Sequence, residues 1–307
     1  MSLSVIKRKV NTMVHTPRIF MKKFQSSFIF KHLPDKTALK IQYKNTFLTD
    51  LDLENPKTFN EKLQWLKLYN RKPEYSKMVD KYEAKKYVAS IIGEEYIIPT
   101  YGVWTSFDEI NFDELPNQFV LKCTHGSGDV VVVKDKSEFD INSAREKIEK
   151  SLKTNYYKIS REWPYKNVQP RVIAEKYMED NSGGLIDYKI FCFNGEAKFM
   201  LIATDRFTSE ELKFDYFDRD FNWLDFEWTH KRSDIKPERP LNFEKMFQLA
   251  EKLSEGLPHV RVDFYESNRE IYFGELTFFH ASGLEKFNPQ EWDEKIGAML
   301  KLPEINK

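Results

Sequence analysis

Apolar positions at helical spacing predict four helices in this chain. Thr58 and Glu61 have the spacing of a capping box and precede a periodic apolar run, so a helix is expected to begin there. The apolar positions between Phe243 and Leu257 recur every three or four residues and predict an amphipathic helix packed on a sheet. Residues 80–92 and 143–152 form the other two predicted helices.

Short apolar runs and period-two alternation predict the strands. They cover residues 96–104, a hairpin within 119–133, and residues 171–178, 187–193, 197–203, 214–226, 260–265 and 271–278. The pair Asn194-Gly195 separates two of these runs and is typical of a type I′ turn between antiparallel strands. No glycine fingerprint of a Rossmann fold is present. The pattern therefore predicts an α+β protein with mainly antiparallel strands.

The hairpin within residues 119–133 contains a small-residue loop that could hold a phosphate. Gly126 and Gly128 can adopt backbone angles that aim successive amides at an anion, and Ser127 adds a hydroxyl. Lys122, near the end of the first strand, adds a positive charge. Ordinary turn chemistry explains the same Gly-Ser-Gly sequence, so both interpretations stay open at this point.

The last two predicted strands carry alternating charged residues. If the three residues 267–269 form the loop between them, Arg261 lies opposite Glu275, and Asp263 lies opposite Phe273. Arg261, Asp263, Glu275 and Thr277 then emerge on one face of the hairpin. Buried carboxylates require compensation, which a divalent cation would give, and oxygen ligands favour Mg²⁺. A structural arginine–carboxylate pair is the alternative.

Composition places the protein among soluble globular chains. It has 307 residues, of which 41% are hydrophobic and 31% charged, enough for one large or two ordinary domains. Its two cysteines, Cys123 and Cys192, have no spacing that suggests a disulfide framework or a zinc site. No apolar run reaches the length of a membrane span or forms a signal peptide. We therefore expect a cytoplasmic location.

The net charge of zero conceals a basic N-terminal segment. Residues 1–40 contain nine lysines or arginines and one acid, Asp35, interleaved with apolar side chains. Such a segment could lie at the inner face of an anionic membrane or contact a polyanionic substrate. A terminal arm with solvated lysines is the alternative. Nucleic acid is not expected as a partner, because no nucleic-acid-binding module accompanies the charge.

From about residue 55 to 303 the chain resembles the TupA-like ATP-grasp proteins, whose namesake is implicated in the synthesis of teichuronopeptide, a cell-wall polymer. Each motif is common, but their order along the chain is specific. The motifs are Thr58–Lys62, Val79–Lys81, Phe119–Lys134, Val172–Met178, Asp187–Lys189, Val260–Asp263 and Gly274–Thr277.

The resemblance implies a fold and a domain organisation. An ATP-grasp fold has two α+β subdomains, with mainly antiparallel sheets, that sandwich ATP. Residues 1–75 would form the basic arm and a helical region, and residues 76–303 the ATP-grasp domain. A lid-type subdomain would occupy about residues 112–172.

The resemblance also implies roles for individual residues in binding ATP and Mg²⁺. Lys81, Lys122 and the loop Gly126, Ser127 and Gly128 would hold the phosphates. Glu175 and the backbone of Lys176 and Met178 would bind adenine, and Glu179 or Asp180 the ribose. Lys189 would approach the γ-phosphate, Arg261 would stabilise the developing oxyanion, and Asp263 and Glu275 would bind Mg²⁺. Thr277 would be a further metal ligand; it stands where many ATP-grasp ligases have an asparagine, and its hydroxyl is a weaker ligand than an amide oxygen.

The implied reaction is the ATP- and Mg²⁺-dependent ligation of a carboxylate to an amine, through an acyl phosphate, in capsular or cell-surface polysaccharide assembly. One partner would be a glycan or sugar-linked carboxylate and the other an amino acid or amine. Four residues are candidate substrate contacts: His125, Arg206, His280 and Ser282. A phosphotransferase or glycosyltransferase of the same pathway, and a nucleotide-binding scaffold at the membrane, are the alternatives.

Overall fold

The computed structural model of the protein describes residues 27–179, 185–204 and 212–304. Its helices are α1 (Phe28–Lys31), α2 (Asp35–Phe47), α3 (Phe59–Tyr69), α4 (Tyr75–Val79), α5 (Glu83–Ile92), α6 (Ile141–Leu152), α7 (Tyr157–Ser160), α8 (Phe243–Ser254) and α9 (Glu291–Met299). Its strands are β1 (Thr100–Trp104), β2 (Phe119–Cys123), β3 (Val131–Val133), β4 (Val172–Lys176), β5 (Ile186–Phe193), β6 (Glu196–Thr204), β7 (Lys213–Asp218), β8 (Glu227–Trp228), β9 (His259–Ser267), β10 (Glu270–Thr277) and β11 (Phe287–Asn288).

Two larger sheets, each with its own core, organise the described residues, and β8 pairs with β11 in a separate two-stranded sheet. The first has four strands in the order β1-β4-β2-β3, and α6 packs on it over a small core that includes Phe119 and Ile148. The second has five strands in the order β10-β9-β5-β6-β7, with α8 packed on its large aromatic core. Neighbouring strands pair antiparallel in both sheets. The predicted α+β class with antiparallel sheets is confirmed.

Predictions from local sequence were accurate where the interacting residues lie within a few positions of each other. The Thr58 hydroxyl accepts a hydrogen bond from the Glu61 amide at 3.2 Å, and the Glu61 carboxylate accepts one from the Thr58 amide at 3.0 Å. Asn194 and Gly195 have φ values of 53° and 86°, as a type I′ turn requires. The capping box and the predicted turn are therefore both present.

One predicted helix and one predicted strand are shorter in the structure, because an aspartate side chain stabilises a turn inside each predicted range. The carboxylate of Asp80 accepts hydrogen bonds from the amides of Tyr82 and Glu83, so α5 begins at Glu83 and not at residue 80. The carboxylate of Asp218 accepts hydrogen bonds from the amides of Asp220 and Asn222. The strand predicted over residues 214–226 therefore ends at Asp218.

The predicted register of the last hairpin was wrong. Asn268 and Arg269, with φ values of 52° and 71°, form a two-residue turn between the paired residues Ser267 and Glu270. A bulge at Gly274 then shifts the register by one residue, so that Glu275 lies opposite Asp263 and Thr277 opposite Arg261. The short turn and the bulge compensate each other. The four side chains still share one face, although their partners differ from those predicted.

The basic N-terminal segment lies mostly outside the described residues. Helices α1 and α2 fall within its last part and the residues after it. Phe28 and Ile29 are exposed at 77% and 66%. None of the helices in the described part of the chain has the length and apolarity needed to cross a membrane.

We expect Gly297→Ala to destabilise the protein, although alanine favours helices over glycine by about 1 kcal/mol. Gly297 lies in α9 where this helix crosses the start of α3. A Cβ there would lie 2.3 Å from the carbonyl oxygen of Lys57 and 2.8 Å from the amide nitrogen of Phe59. Since both are backbone atoms, the helices must separate, at a cost of about 1–3 kcal/mol.

Equilibrium urea unfolding of the Gly297→Ala variant measures this cost. Ala298→Gly is the matched control, since Ala298 is exposed in the same helix and should lose only the propensity difference of about 1 kcal/mol. A Gly297→Ala protein as stable as the wild type would contradict the close packing of α9 on α3.

Candidate active site

Arg261 is the centre of the face formed by β9 and β10. Its Nε and Nη2 donate to the two carboxylate oxygens of Asp263 at 2.6 and 2.7 Å. Nη2 also donates to Glu275 Oε1 and Thr277 Oγ1, both at 3.0 Å. Burial lowers the pKa of Arg261, but Asp263 and Glu275 outweigh this effect and raise the pKa above its ordinary value. The guanidinium is therefore a fixed positive charge.

Lys189 adds a second cation to the same carboxylate. It lies opposite Asp263 in the pairing of β5 with β9, and its ammonium donates to Asp263 Oδ2 at 2.6 Å. The same ammonium is 3.6 Å from Asp187. Asp263 is only 2% exposed, and both of its oxygens are bonded to cations. It compensates two buried positive charges.

Four of the predicted phosphate-binding and catalytic cations surround Glu275. Partial burial raises the pKa of Glu275, but Lys81, Arg261, Lys189 and Lys122 together lower it to about 2. Its Oε2 lies 3.9 Å from the Lys81 ammonium. The structure thus brings together residues that are distant in the sequence, around one carboxylate.

Lys81 links the carboxylate of Glu275 to the glycine loop of the first sheet, which consists of Gly126, Ser127 and Gly128. Its ammonium donates to the carbonyl oxygen of Gly126 at 2.5 Å, and its amide donates to the carbonyl oxygen of Thr124 at 3.0 Å. Because Lys81 lies between α4 and α5, its side chain reaches both the loop and Glu275. The loop and the face of β9 and β10 that carries Asp263 and Glu275, hereafter called the acidic face, therefore border one crevice.

The glycine loop is anchored at both ends and open in its middle. Asp129 accepts hydrogen bonds from the Cys123 amide and the Ser151 hydroxyl, both at 2.8 Å. Gly128 has a φ of 87°, and a Cβ on Gly126 or Gly128 would meet no atom within 4 Å. This leaves open space along the loop, which contains Ser127. His125 is buried and its Nε2 lies 3.1 Å from the Ser151 carbonyl oxygen, on the side of α6.

The carboxylate of Glu175 is held by two lysines. Lys122 lies 2.5 Å from one of its oxygens, and Lys85 lies 2.6 Å from the other. Lys85 also donates to the Ile98 carbonyl and the Thr100 hydroxyl, both at 2.7 Å. Burial raises the pKa of Glu175, but the lysines lower it further than burial raises it. An adenine amino group would therefore share this carboxylate with two ammonium groups.

Sequence reasoning missed Lys85. The available signal was its distance of four residues from Lys81, one helical turn, but Lys81 precedes α5 and the two side chains have different partners.

The residues after Glu175 have no part in this network of lysines around its carboxylate. The Lys176 side chain is exposed, Met178 is buried, and the Glu179 carbonyl accepts from Ser267 at 2.7 Å. Asp180 and Arg206 lie outside the described residues.

A tight turn over His280–Gly283, with left-handed backbone at Ala281 and Ser282, follows β10 and supports Arg261. His280 Nδ1 accepts a hydrogen bond from Arg261 Nη1. Burial, followed by the charge of Arg261, lowers the pKa of His280 well below its ordinary value, so the ring is neutral and able to accept. Ser282 accepts a hydrogen bond from Lys67 at 2.8 Å. His280 thus positions the arginine, while Ser282 belongs to a neighbouring cluster.

The oxygen ligands of this face fit a Mg²⁺ ion that is completed by phosphate and water. Asp263, Glu275 and the Thr277 hydroxyl supply only oxygen, which Mg²⁺ prefers. Glu275 Oε2 accepts no hydrogen bond from any described residue, and its side chain is 37% exposed. The described residues contain no group of three or more His, Cys, Asp or Glu suited to a metal. Most ligands of the ion would therefore come from substrate and solvent.

Two antiparallel sheets, with a cation-rich site between a glycine loop and two acids, define the ATP-grasp class of proteins. The family model for TupA-like ATP-grasp matches residues 61–301. The chain belongs to the TupA-like ATP-grasp family, and the family and fold class predicted from the motifs are confirmed.

Solved structures similar to this chain include several ligases. D-alanine–D-alanine ligase from Bacillus anthracis, complexed with ATP, is 17% identical, with a TM-score of 0.41, over 66% of this chain and 55% of that chain. The enzyme from Helicobacter pylori is 16% identical, with a TM-score of 0.42, over 79% and 69%. ATP-grasp ligase PsnB, complexed with minimal precursor, Mg and ADP, is 12% identical, with a TM-score of 0.37, over 79% and 62%. Among curated proteins no significant match was found.

Proposed function

We propose that the protein is an ATP- and Mg²⁺-dependent ligase that joins a carboxylate to an amine. The observation that carries this proposal is the position of Lys81, whose ammonium contacts Gly126 in the glycine loop and lies 3.9 Å from Glu275. A chain of negatively charged phosphates along this line would meet the loop amides, Lys81 and the acidic face in turn. Family membership supports the same assignment.

The residues predicted to bind ATP and Mg²⁺ each have a role in this proposal. Lys81, Lys122 and the loop of Gly126, Ser127 and Gly128 bind phosphate oxygens. Glu175 holds Lys122 in place, and the backbone of Lys176 and Met178 lies beside the adenine, with Glu179 near the ribose. Lys189 contacts the γ-phosphate. Arg261, whose charge is fixed, stabilises the oxyanion that develops at the reacting carbonyl.

Asp263, Glu275 and Thr277 would hold Mg²⁺, which when bound neutralises charge on the phosphates. ATP is consumed as a substrate: its γ-phosphoryl group activates the carboxylate as an acyl phosphate, and the amine then displaces phosphate to leave an amide. The protein mainly positions the reactants, which can lower a barrier by about 7–11 kcal/mol.

We assign the substrates to surface-polysaccharide assembly, with a sugar-linked carboxylate and an amino acid or amine as the two partners. The motifs shared with the TupA-like family support this choice. A cytoplasmic location with peripheral membrane contact is consistent with the basic N-terminal segment and with exposed Phe28 and Ile29 beside Lys31.

Purified protein with ATP, Mg²⁺ and a panel of uronic acids and amino acids tests the proposal. A ligase releases ADP and phosphate when an acid and an amine are both present, and hydroxylamine in place of the amine traps the acyl phosphate as a hydroxamate. Nucleotide binding without turnover would support a scaffold instead, and sugar transfer without ATP would support a glycosyltransferase.

A further inference from the structure

A single residue of α6, Ser151, contacts both ends of the glycine loop. Its hydroxyl donates to Asp129 Oδ2 at 2.8 Å. Its carbonyl oxygen lies 3.1 Å from His125 Nε2, and since a carbonyl oxygen can only accept, the imidazole donates this hydrogen bond. His125 directly precedes the loop and Asp129 directly follows it. The last turn of α6 is therefore attached to the loop on both sides.

The other contacts of Asp129 do not replace the one with Ser151. Asp129 Oδ2 also accepts from the Cys123 amide at 2.8 Å, but Cys123 belongs to β2, the strand that leads into the loop. Asp129 Oδ1 is buried and has no hydrogen-bond partner among the described residues. One helical turn before Ser151, the Lys147 ammonium donates to the carbonyl oxygen of Val130 at 2.7 Å. The side chain of Asp129 is thus tied to α6 through the Ser151 hydroxyl.

The middle of the loop keeps its hydrogen-bond donors free. In the part of the chain that the structure describes, the amides of Gly126, Ser127 and Gly128 donate to no other residue. The carbonyl oxygen of Gly126 accepts from Lys81, on the side of the acidic face. Successive free amides between two fixed ends form a donor set suited to a phosphate. The direction of these amides depends on where the two ends are held.

We propose that Ser151 is the positioning residue of the glycine loop, which it holds at both ends so that the free amides face the phosphates of ATP. This inference rests on the proposed binding of ATP phosphates by the loop. Ser151 acts through His125 and Asp129 and does not itself contact the nucleotide. A loop that is already held in its binding geometry loses less conformational freedom when the ligand arrives, so its affinity for the ligand is higher.

Ser151→Ala tests this role with two ligands. The substitution removes the hydroxyl and preserves the helix, because alanine has the highest helix propensity. Equilibrium dialysis with radiolabelled ATP and Mg²⁺ gives the Kd of ATP, and competition by adenosine gives the Kd of a ligand without phosphates. We expect the Kd of ATP to rise about tenfold, since the lost hydrogen bond is to a carboxylate, and that of adenosine to stay within about twofold.

A merely structural role would give a different result. Loosening of the whole first sheet would weaken ATP and adenosine by the same factor, and this outcome would overturn the inference. An unchanged Kd of ATP in Ser151→Ala would overturn it as well.

Two further serine variants are the controls. Ser143→Ala removes a hydroxyl from an exposed position of the same helix and should leave both Kd values unchanged. Ser151→Thr keeps a hydroxyl at the contact and should bind ATP within about threefold of wild type. If Ser151→Thr bound ATP as weakly as Ser151→Ala, the hydroxyl would not be the group that holds the loop.

Asp129→Ala breaks the same contact from the side of the loop. It should raise the Kd of ATP at least as much as Ser151→Ala does. Because the two side chains share one hydrogen bond, the double variant should bind ATP about as weakly as Asp129→Ala alone. Fully additive losses would mean that the Ser151 hydroxyl acts elsewhere, and would contradict the proposal.

The outcomes for the loop and for the ligase are separable. Wild-type protein that binds ATP but gives no hydroxamate with any acid would overturn the ligase function and leave the role of Ser151 intact. Wild-type protein that binds no ATP would overturn both.

Discussion

Asp263→Asn is expected to lower the free energy of unfolding by about 3–5 kcal/mol, because it leaves two buried cations without their shared counter-charge. Arg261 and Lys189 both donate to this carboxylate, at distances of 2.6 to 2.7 Å. An asparagine has one carbonyl oxygen and no charge, so it cannot replace both bonds. Equilibrium unfolding in urea at low salt measures the loss.

A surface ion pair provides the control for this prediction. Asp225 pairs with Arg232, and the Asp225 side chain is 95% exposed. Asp225→Asn should therefore change stability by at most about 1 kcal/mol. If Asp263→Asn were no more destabilising than Asp225→Asn, Asp263 would not be the buried counter-ion that the structure indicates.

Glu275→Gln should lower stability less than Asp263→Asn does, and should cause a large loss of turnover. Glu275 is partly exposed, and a glutamine oxygen can still accept from Arg261 and Thr277. Its charge is lost from the centre of the cations that lower its pKa to about 2. We expect ADP release to fall about 10²–10³-fold, the size of effect seen when one electrostatic catalytic group is removed.

A Mg²⁺ titration of ADP release distinguishes a metal ligand from a simple charge effect. The variant should need a higher Mg²⁺ concentration for half-maximal rate than the wild type. Glu270→Gln, an exposed site on the same strand, should match the wild type in rate and in Mg²⁺ dependence. Turnover near wild type in Glu275→Gln would remove Glu275 from the proposed metal site.

The sequence predicted best those features whose partners are close along the chain. Thr58 with Glu61, and Asn194 with Gly195, determine their local geometry within four residues. The last hairpin was harder, since its register depends on a two-residue turn and a bulge at Gly274, and the predicted three-residue loop included neither. The four side chains met on one face for a different reason from the one expected.

The partners of the remaining charged residues depend on tertiary packing. Lys85 and Lys122 approach Glu175 from different elements. Lys67 donates to the carbonyl oxygens of Ser160 and Ser282, 93 and 215 positions further along the chain, and Arg161 and Ser282 have left-handed backbone although neither is glycine. Neither periodicity nor turn chemistry predicts such contacts. Only the motif order of the family placed distant lysines and acids in one site.

The bulge at Gly274 has a consequence for how this site can change by insertion and deletion. Side chains alternate between the faces of a strand, so removing one residue between the turn and Glu275 would point this carboxylate away from the cations unless the bulge were lost with it. A residue inserted into the Asn268-Arg269 turn can instead stay in the loop and leave the strand pairing unchanged. The site is therefore more sensitive to changes of length within β10 than in the turn, because the pairing of β10 with β9 sets which side chains enter the crevice.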